Sequence, residues 1–436
     1  MTAKDVTDAH LPLQLFAGYT EADTAIFAEF VNSNAKPEPG FVVDFLGSRI
    51  RTSSVWEHAR TFDGQVVGIP VPADFHAEAI EWLGLLKAVR YATDQYVAME
   101  LGAGFGPWVI AGGIAARRRG TEKIRLYAVE GDSQHYHFLR QHFLDNGFQP
   151  DHHTLLEAAV GVSAGVAQWP VLEDSSASEE WGCRPMEATR DYMGRQFQKT
   201  NPVDVIPMLD LVVKEPRWDL IHIDVQGSEV EICRSCIDEL NARVRRIVAA
   251  THSRKLDGDF LDLMCSAGWL LEHEKPAKFT FMPNATTLEA MTTIDGTQVW
   301  RNPRLVQGGD PLSSFSQEIT CSAHELTLRA GGACILDIHV KNTGTQRWYG
   351  NAQEAPVRAS YRWLDSEGNL LRIEGNRALL NLPIIEPGEG DRLQLEVLAP
   401  SNPGSYMLCI SMVQEGVAWF HDRGATPLII SSVCTS

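Results

Sequence analysis

Two patterns of apolar and polar residues follow each other along the chain, and the change falls near residue 302. Before it, short apolar runs alternate with segments whose apolar residues recur at helical spacing. Alternating strands and helices predict an α/β fold with a doubly wound, Rossmann-like parallel sheet. From residue 315 on, short runs of alternating polarity are separated by Gly and Pro turn signals, which predicts an all-β, immunoglobulin-like sandwich. We therefore expect a central domain at residues 76–305 and a C-terminal domain at residues 310–436.

The same patterns place the elements of the central domain. A helix over about residues 73–93 precedes the first strand. Later strands are predicted in KIRLYAVEGD, HTLLEAAVGV, RWDLIHIDVQG and VRRIVAATHS, and a terminal strand pair in WLLEHEK and DGTQVWRNP. Residues 165–207 lack strong periodicity and are long for a loop, so we assign them to substrate contact. Residues 1–75 are mixed in pattern and are expected to form an N-terminal cap or acceptor-side segment.

The first strand runs into a glycine-rich stretch, VAMELGAGFGPW, in which Glu100 precedes Gly102, Gly104 and Gly106. Glycine is needed where the backbone turns sharply or approaches a ligand, because a Cβ would block both. The third glycine of a G-x-G-x-x-G dinucleotide fingerprint is missing, since Pro107 stands in its place. The spacing E-x-G-x-G-x-G is instead typical of methyltransferases that use S-adenosylmethionine. An ordinary strand, turn and helix without a ligand is the less favoured alternative.

Residues at the carboxyl ends of the next two predicted strands are candidates for cofactor contact, because open α/β sheets bind ligands at that edge. Glu130 ends the second strand, where a carboxylate can accept both hydroxyls of a ribose. Its alternative role, as N-cap of the next helix, suits Asp132 better. Glu157 and Ala158 end the third strand, and their assignment to the adenine end of a nucleoside rests on position alone.

The fourth and fifth predicted strands end in residues that could carry chemistry. Asp224 can position an acceptor hydroxyl, and Gln226 can donate to the acceptor; the alternative role of Asp224 as a helix N-cap suits Ser228 better. His252 is a candidate general base because its pKa lies near neutrality, and a loop histidine bonded to backbone is almost as good an interpretation. His222 shares a strand face with Asp224 and is interpreted as a core histidine. Asp224 with His252 could also hold a divalent metal, but with two ligands of uncertain geometry this is the less favoured alternative, and no metal is predicted.

Composition narrows the classes of function. The 436 residues include 38 basic and 56 acidic side chains, and the formal net charge of -18 argues against sequence-independent binding to nucleic acid. No apolar run has the length of a membrane span, and the N-terminus does not resemble a signal peptide. The eight cysteines are scattered, which favours a reducing, cytoplasmic setting. The sequence predicts no oligomeric state.

Together these motifs resemble the FkbM-type S-adenosylmethionine-dependent methyltransferases. The resemblance rests on MELGAGFGPW, LYAVEGD, LLEAAVG, LIHIDVQGSE and ATHS, in that order, over roughly residues 75–300. It implies S-adenosyl-L-methionine as the methyl donor and methylation of oxygen, often on sugars and polyketides. Asp224 would lie beside the methyl group, with Gln226 and His252 as the other candidate catalytic residues. The residues expected to contact the cofactor are Glu100, Gly102, Ala103, Gly104, Gly106, Glu130, Glu157 and Ala158.

The predicted sandwich is similar to carbohydrate-associated domains of surface-polysaccharide proteins, through PVRASYRWLDSEGN, LLNLPIIEPGE and APSNPGSYMLCISMVQEGVAWF. Trp348, Trp363 and Trp419 are candidates for stacking on sugar rings, although a core position is favoured for Trp363 because it lies in an alternating strand. The resemblance implies O-methylation of a hydroxyl on a bacterial cell-surface polysaccharide or its precursor, with this glycan as the partner. The alternatives are methylation of a small secondary metabolite, and a non-catalytic glycan-binding protein with a methyltransferase-like fold.

Overall fold

The structure is a computed structural model that describes residues 18–92, 94–172, 181–186, 196–283, 285, 289–306, 312–350, 352 and 355–436. The chain divides into two compact units, Met1–Leu305 and Val306–Ser436. Throughout the described ranges, no helix combines the length and the apolar character needed to cross a lipid bilayer.

The helices of the first unit vary from one turn to more than three turns in length. In the described part of this unit the α-helices are α1 (Ile26–Phe30), α2 (Ala79–Arg90), α3 (Pro107–Arg118), α4 (Ser133–Asp145), α5 (Met208–Val212), α6 (Glu229–Ser235), α7 (Ile237–Arg243) and α8 (Arg254–Ser266). Short 3-10 segments lie at Glu21–Ala25, Glu57–Phe62, Pro150–His152 and Glu289–Met291. The strands are β1 (Phe41–Val43), β2 (Arg49–Arg51), β3 (Gln65–Val66), β4 (Gln95–Leu101), β5 (Lys123–Glu130), β6 (Thr154–Glu157), β7 (Ala159–Gly161), β8 (Gly165–Pro170), β9 (Thr200–Pro207), β10 (Leu220–Ile223), β11 (Arg246–Thr251), β12 (Leu270–Lys275), β13 (Lys278–Phe279), β14 (Thr292–Ile294) and β15 (Gly296–Arg301).

Seven of these strands form one sheet, in the order β12-β15-β11-β10-β4-β5-β6. Strands β6, β5, β4, β10 and β11 run parallel to each other, whereas β15 is antiparallel to both of its neighbours. The chain proceeds outward from β4 through β5 to β6 and then returns to β10 on the other side of β4. The carboxyl ends of β4 and β10 are therefore a topological switch point, where such sheets bind ligands. The predicted α/β sheet and its terminal strand pair are confirmed.

Helices cover both faces of this sheet, as the alternation of side chains along β4 shows. Tyr96 and Ala98 belong to the apolar core that contains α2, α3 and α4. Val97 and Met99 belong to a second core, formed with α5, α6, α7 and α8. Successive side chains of a strand point to opposite faces, so β4 is buried on both sides. This double coverage explains why the parallel strands read as continuous apolar runs.

Two elements differ from the predictions. The helix expected over about residues 73–93 begins only at Ala79, because the Asp74 side chain accepts hydrogen bonds from the backbone N–H groups of His76 and Ala77 and closes a turn ahead of it. The region 165–207, predicted to be irregular, contains β8 and β9, which form a three-stranded sheet with β7. Sequence reasoning missed β9 because it contains Pro202 and Pro207, and proline is rare in strands. Thr93 and residues 173–180 and 187–195 lie outside the described residues.

The described part of the second unit is built of strands, with one 3-10 turn at His421–Arg423. The strands are β16 (Gln317–Cys321), β17 (Glu325–Arg329), β18 (Ala333–Asn342), β19 (Trp348–Tyr349), β20 (Val357–Asp365), β21 (Leu370–Glu374), β22 (Ile384–Ile385), β23 (Gly390–Leu398), β24 (Gly404–Gln414), β25 (Ala418–Trp419) and β26 (Leu428–Thr435).

The two larger sheets of this unit have the orders β16-β18-β23 and β17-β26-β24-β20-β21. Strand β25 pairs with β24, and β19 and β22 form a separate short pair. One apolar core joins the two sheets, with Ile338 and Leu395 from the first and Tyr361 and Ile410 from the second.

The three tryptophans considered for sugar stacking are buried, which corrects the expectation for two of them. Trp348, Trp363 and Trp419 are 1%, 0% and 8% exposed. The Trp419 ring lies under the guanidinium groups of Arg362 and Arg377, at 4.2 and 5.1 Å from its centroid. A core position was expected for Trp363 only, and the structure extends it to Trp348 and Trp419.

Candidate active site

The glycine-rich loop connects the end of β4 to the start of α3. The loop glycines have positive φ angles, of 73° at Gly102, 55° at Gly104 and 75° at Gly106. This left-handed backbone conformation is unfavourable for residues that carry a Cβ. A Cβ on Gly102 would lie 1.7 Å from the backbone carbonyl oxygen of Asp224, at the end of β10. The N–H groups of Gly102 and Ala103 both donate to the carbonyl of Val129 in β5. The loop therefore holds three strand ends together, and its first glycine is required by close backbone packing.

Glu100 lies at the end of β4, with 1% of its surface exposed. Its Oε2 accepts a hydrogen bond of 2.9 Å from the backbone N–H of Val109, in the first turn of α3. Burial raises the pKa of Glu100 well above its usual value, although the helix N–H groups act in the opposite direction. The carboxylate thus occupies the positive end of α3, and a cationic ligand beside it would favour its ionised form.

Glu130, at the end of β5, connects that strand to the glycine loop. One carboxylate oxygen accepts from the backbone N–H of Gly104 at 2.7 Å, and the other accepts from the N–H of Asp132 at 2.7 Å. Burial raises its pKa, against the effect of the nearby His135. Asp132 caps α4 through bonds from the N–H groups of Gln134 and His135, as the sequence predicted. Glu130 is therefore not the N-cap of α4, and its carboxylate binds the glycine-rich loop instead.

The two residues predicted at the end of the third strand separate in the structure. Ala158 is buried, and its N–H donates to the carbonyl of Glu130. Glu157 is exposed, because β6 is the edge strand of the sheet and its end is open to solvent. The structure does not bring the Glu157 side chain to the cavity described below, which departs from the cofactor contact expected of it.

The turn after β10 is strained at Gln226. This residue has a φ of 56°, which is uncommon for residues other than glycine. Its Nε2 donates to Asp224 Oδ1 at 2.7 Å. Glu229, the fully buried first residue of α6, braces the turn by accepting from the N–H groups of Val225 and Gly227 at 3.3 and 3.0 Å. Sequence reasoning did not select Glu229 as a site residue, although the glutamate of HIDVQGSE was part of the resemblance.

His252 is buried between two carboxylates at the end of β11. Its Nε2 lies 3.1 Å from Asp224 Oδ1, and its Nδ1 lies 3.0 Å from Glu229 Oε1. Burial alone would lower the pKa of His252, but Glu229 and Asp224 outweigh it and raise the pKa well above its usual value. A raised pKa favours the charged ring and differs from the pKa near neutrality that the sequence suggested. The role of His252 as a general base stays a prediction.

Most of the predicted residues open on one cavity of about 870 Å³. Within the described residues, Gly106, Glu157 and His252 are the predicted ones that do not line it. The volume is in the range of pockets that enclose small ligands. The predicted residues that line it are Glu100, Gly102, Ala103, Gly104, Glu130, Ala158, Asp224 and Gln226.

Aromatic side chains that sequence reasoning did not select form much of the cavity wall. Trp181 stacks on His135, with ring centroids 4.0 Å apart and planes 13° apart, and approaches Trp56 to 4.8 Å. Trp108 stacks on His222 at 5.0 Å. The sequence indicated only the regions in which two of these residues lie. Trp181 lies in the segment assigned to substrate contact, and Trp56 lies in the segment expected to form an N-terminal cap or acceptor-side segment. His222, interpreted as a core histidine, is buried and also lines the cavity.

The chain is similar in sequence to one curated protein. No protein-family model matches the chain. A curated protein of Jannaschia sp. (strain CCS1), named "Putative methyltransferase", is 32% identical over 280 residues, which are 64% of this chain and 98% of that protein.

Among solved structures, precorrin-6y C5,15-methyltransferase from Geobacter metallireducens GS-15 is 14% identical, with a TM-score of 0.30, over 52% of this chain and 89% of that chain. Ribosomal protein L11 methylase from Lactobacillus delbrueckii subsp. bulgaricus is 10% identical, with a TM-score of 0.25, over 55% and 86%. At these scores neither structure carries an argument about this protein. The match to the Jannaschia protein covers nearly all of that relative at more than 30% identity, and the chain therefore belongs to its family, a family of methyltransferases.

Proposed function

We propose that the protein is an S-adenosylmethionine-dependent O-methyltransferase of the FkbM type that acts on a sugar hydroxyl of a bacterial cell-surface polysaccharide or its precursor. One observation carries the proposal: the glycine loop with Glu100, the Glu130 carboxylate and the Asp224 carboxylate, from the ends of three adjacent strands, line a single cavity. A cavity at a switch point with convergent polar groups is where an α/β enzyme binds its ligands.

The residues of the cavity fit S-adenosylmethionine. Gly104 presents bare backbone to the cavity, since a Cβ there would meet the Trp181 ring at 3.0 Å. The buried indole N–H groups of Trp169 and Trp181 have no hydrogen-bond partner among the described residues, so they are available to a polar ligand. Glu130 would hold the ribose hydroxyls and Glu100 would face the ammonium group. These two acidic groups match two polar parts of the donor, its ribose and its ammonium group.

When bound, S-adenosylmethionine supplies a methyl group on a positively charged sulfur, so the protein mainly has to align the acceptor oxygen. Burial alone would raise the pKa of Asp224, but His252 and other neighbours outweigh it and lower the pKa. Asp224 is thus ionised at neutral pH and can accept the hydrogen bond of an acceptor hydroxyl, which directs the leaving proton toward its carboxylate. Charged His252 and the Gln226 amide hold that carboxylate in place.

Isothermal titration with S-adenosylmethionine tests the first step. We expect saturable binding that the double variant Glu100→Ala with Glu130→Ala weakens strongly, because the ribose and the ammonium group of the donor each lose an acidic partner. Absence of binding to the natural chain, or equal binding by the double variant, would overturn the proposal.

A second candidate is O-methylation of a small secondary metabolite. It is favoured by the burial of Trp348, Trp363 and Trp419, which leaves the second unit without the aromatic sugar platform that the sequence suggested. We propose an immunoglobulin-like fold for this unit, supported by its two sheets around one core. If the acceptor is a polysaccharide, the second unit holds the glycan. If the acceptor is a small molecule, the second unit serves oligomerisation or stabilises the protein.

A further inference from the structure

We propose that His222 binds the carboxylate at the methionine end of S-adenosylmethionine and is thus a further donor-binding residue. This inference rests on the proposed function, which gives the ribose to Glu130 and the ammonium group to Glu100 and leaves the carboxylate without a partner. A carboxylate that enters a buried site loses its hydration, so it needs a cationic or N–H partner there. The structure offers such a partner in a histidine that the proposed function does not use.

His222 lies next to Glu100 in the sheet. The two residues are Cα partners in the parallel pair of β10 and β4, and neighbouring strands are about 4.8 Å apart. Both residues line the same cavity. The ammonium group and the carboxylate of an amino acid are bonded to one carbon atom, so the residues that bind them must be close neighbours. A donor whose ammonium group faces Glu100 therefore has its carboxylate within reach of His222.

The hydrogen-bonding capacity of His222 is not used by the part of the chain that the structure describes. The residue is 3% exposed, and both of its ring nitrogens are buried without a hydrogen-bond partner. Such groups are rare because they cost free energy, and a ligand in the cavity can supply the missing partner. Trp108 stacks on the ring, with centroids 5.0 Å apart and planes 25° apart. One face of the ring is thus covered, and a ligand contact has to be made at its edge, where the nitrogens are.

Glu81, in the first turn of α2, is the acidic neighbour of His222. Its Oε1 lies 3.5 Å from His222 Nε2, which is longer than an ordinary N–H···O hydrogen bond, and its Oε2 accepts from the backbone N–H of the helix N-cap residue at 3.4 Å. Because Nε2 is the nitrogen next to Glu81, Nδ1 is left for the ligand. In its charged form the ring donates from both nitrogens and offsets the repulsion between Glu81 and the donor carboxylate. His252 is likewise placed between two carboxylates, those of Asp224 and Glu229.

Other basic side chains of the described residues that line the cavity are His76, His135 and Arg184. His76 Nδ1 lies 2.9 Å from an oxygen of Asp74. His135 Nδ1 lies 4.0 Å from an oxygen of Glu130, at the end of the cavity assigned to the ribose. Arg184 Nη1 donates to the carbonyl of Gln226 at 2.9 Å, on the turn after β10. Of these basic groups, His222 is the one in register with Glu100.

The test uses two ligands that differ only in this carboxylate, S-adenosylhomocysteine and its decarboxylated form, S-adenosyl-3-thiopropylamine. Calorimetry on the full chain measures both affinities. His222→Phe keeps a ring to stack on Trp108 but has no N–H, so we expect it to weaken binding of S-adenosylhomocysteine at least about 10-fold more than binding of the decarboxylated ligand. The matched control is His135→Phe, because His135 is also 3% exposed and lines the same cavity. It should change both affinities by the same factor.

Circular dichroism checks the fold, and His222→Leu gives the same comparison with a smaller side chain if the phenyl ring is not accommodated. Equal changes for the two ligands in the folded His222 variant would overturn the inference. A difference between the ligands that is lost in Arg184→Met instead would also overturn it, because it would place the carboxylate at the turn after β10. A natural chain that binds neither ligand would contradict the proposed function itself, whereas binding of S-adenosylhomocysteine without a difference that depends on His222 would contradict the inference alone.

Discussion

The carboxylate of Glu130 accepts a hydrogen bond from the backbone N–H of Gly104 across 2.7 Å. These residues lie 26 positions apart in the sequence and were selected for different reasons, one as a strand-end acid and the other as part of a glycine motif. Their direct bond places the acid at the loop that is proposed to carry the methyl donor. It also means that Glu130 has a structural partner to lose, so its variants need a control that separates folding from binding.

Glu130→Ala should weaken binding of S-adenosylhomocysteine by about 10-fold to 100-fold, since a buried carboxylate that accepts ligand hydroxyls is removed. The matched control is Glu157→Gln, at the end of the neighbouring strand in the same register but exposed. It should bind like the natural chain. Calorimetry measures both affinities, and an equal loss in the two variants would contradict the assignment of Glu130 to the ligand.

Gly102→Ala should destabilise the first unit far more than Gly120→Ala. Both glycines have positive φ, so each substitution carries a backbone cost of about 1–2 kcal/mol. Only at Gly102 would the added Cβ meet the Asp224 carbonyl, at 1.7 Å, because nothing lies within 4 Å of the equivalent position at Gly120. We expect an extra loss of about 3 kcal/mol or more in the free energy of urea unfolding. Similar losses at both sites would show that the loop does not pack against β10 as described.

Asp44→Asn should remove a pH dependence of stability. Asp44 is 1% exposed, and burial raises its pKa to about 6. The folded chain then holds a proton that the unfolded chain has lost above about pH 4, so this group makes stability fall as pH rises through 6. We expect the free energy of unfolding of the variant, relative to the natural chain, to rise by about 3 kcal/mol between about pH 4 and pH 7.

Asparagine can keep the bonds that Asp44 Oδ1 accepts from the N–H groups of Leu46 and Ser48, at 2.9 and 2.7 Å. Urea unfolding at a series of pH values measures the difference. A difference that stays constant over this range would show that Asp44 ionises normally in the folded chain.

The sequence was informative where local chemistry decides the structure. The order of strands and helices followed from periodicity, and the strand-end positions of Glu100, Glu130 and Asp224 followed from where each apolar run stops. These residues converge because parallel strands end at the same edge of a sheet. No tertiary information was needed for that step.

Other features depended on contacts between distant segments. The raised pKa of His252 comes from Glu229 and Asp224, which pack on both sides of the ring, and no spacing in the sequence reveals such a pair. The aromatic wall combines Trp56, Trp108 and Trp181 from three separated segments. β9 was missed because prolines mask a strand whose partners, β7 and β8, are themselves short or irregular in pattern.

Transfer of a radiolabelled methyl group from S-adenosylmethionine tests the central claim most directly. The full chain is incubated separately with the cell-surface polysaccharide fraction and with the small-metabolite fraction of a bacterial extract, next to an Asp224→Asn variant. The account predicts label on sugar oxygen in the polysaccharide fraction and at least about 100-fold less with the variant. Label in the small-metabolite fraction alone would replace the polysaccharide acceptor with the alternative, and no label in either fraction would contradict the account.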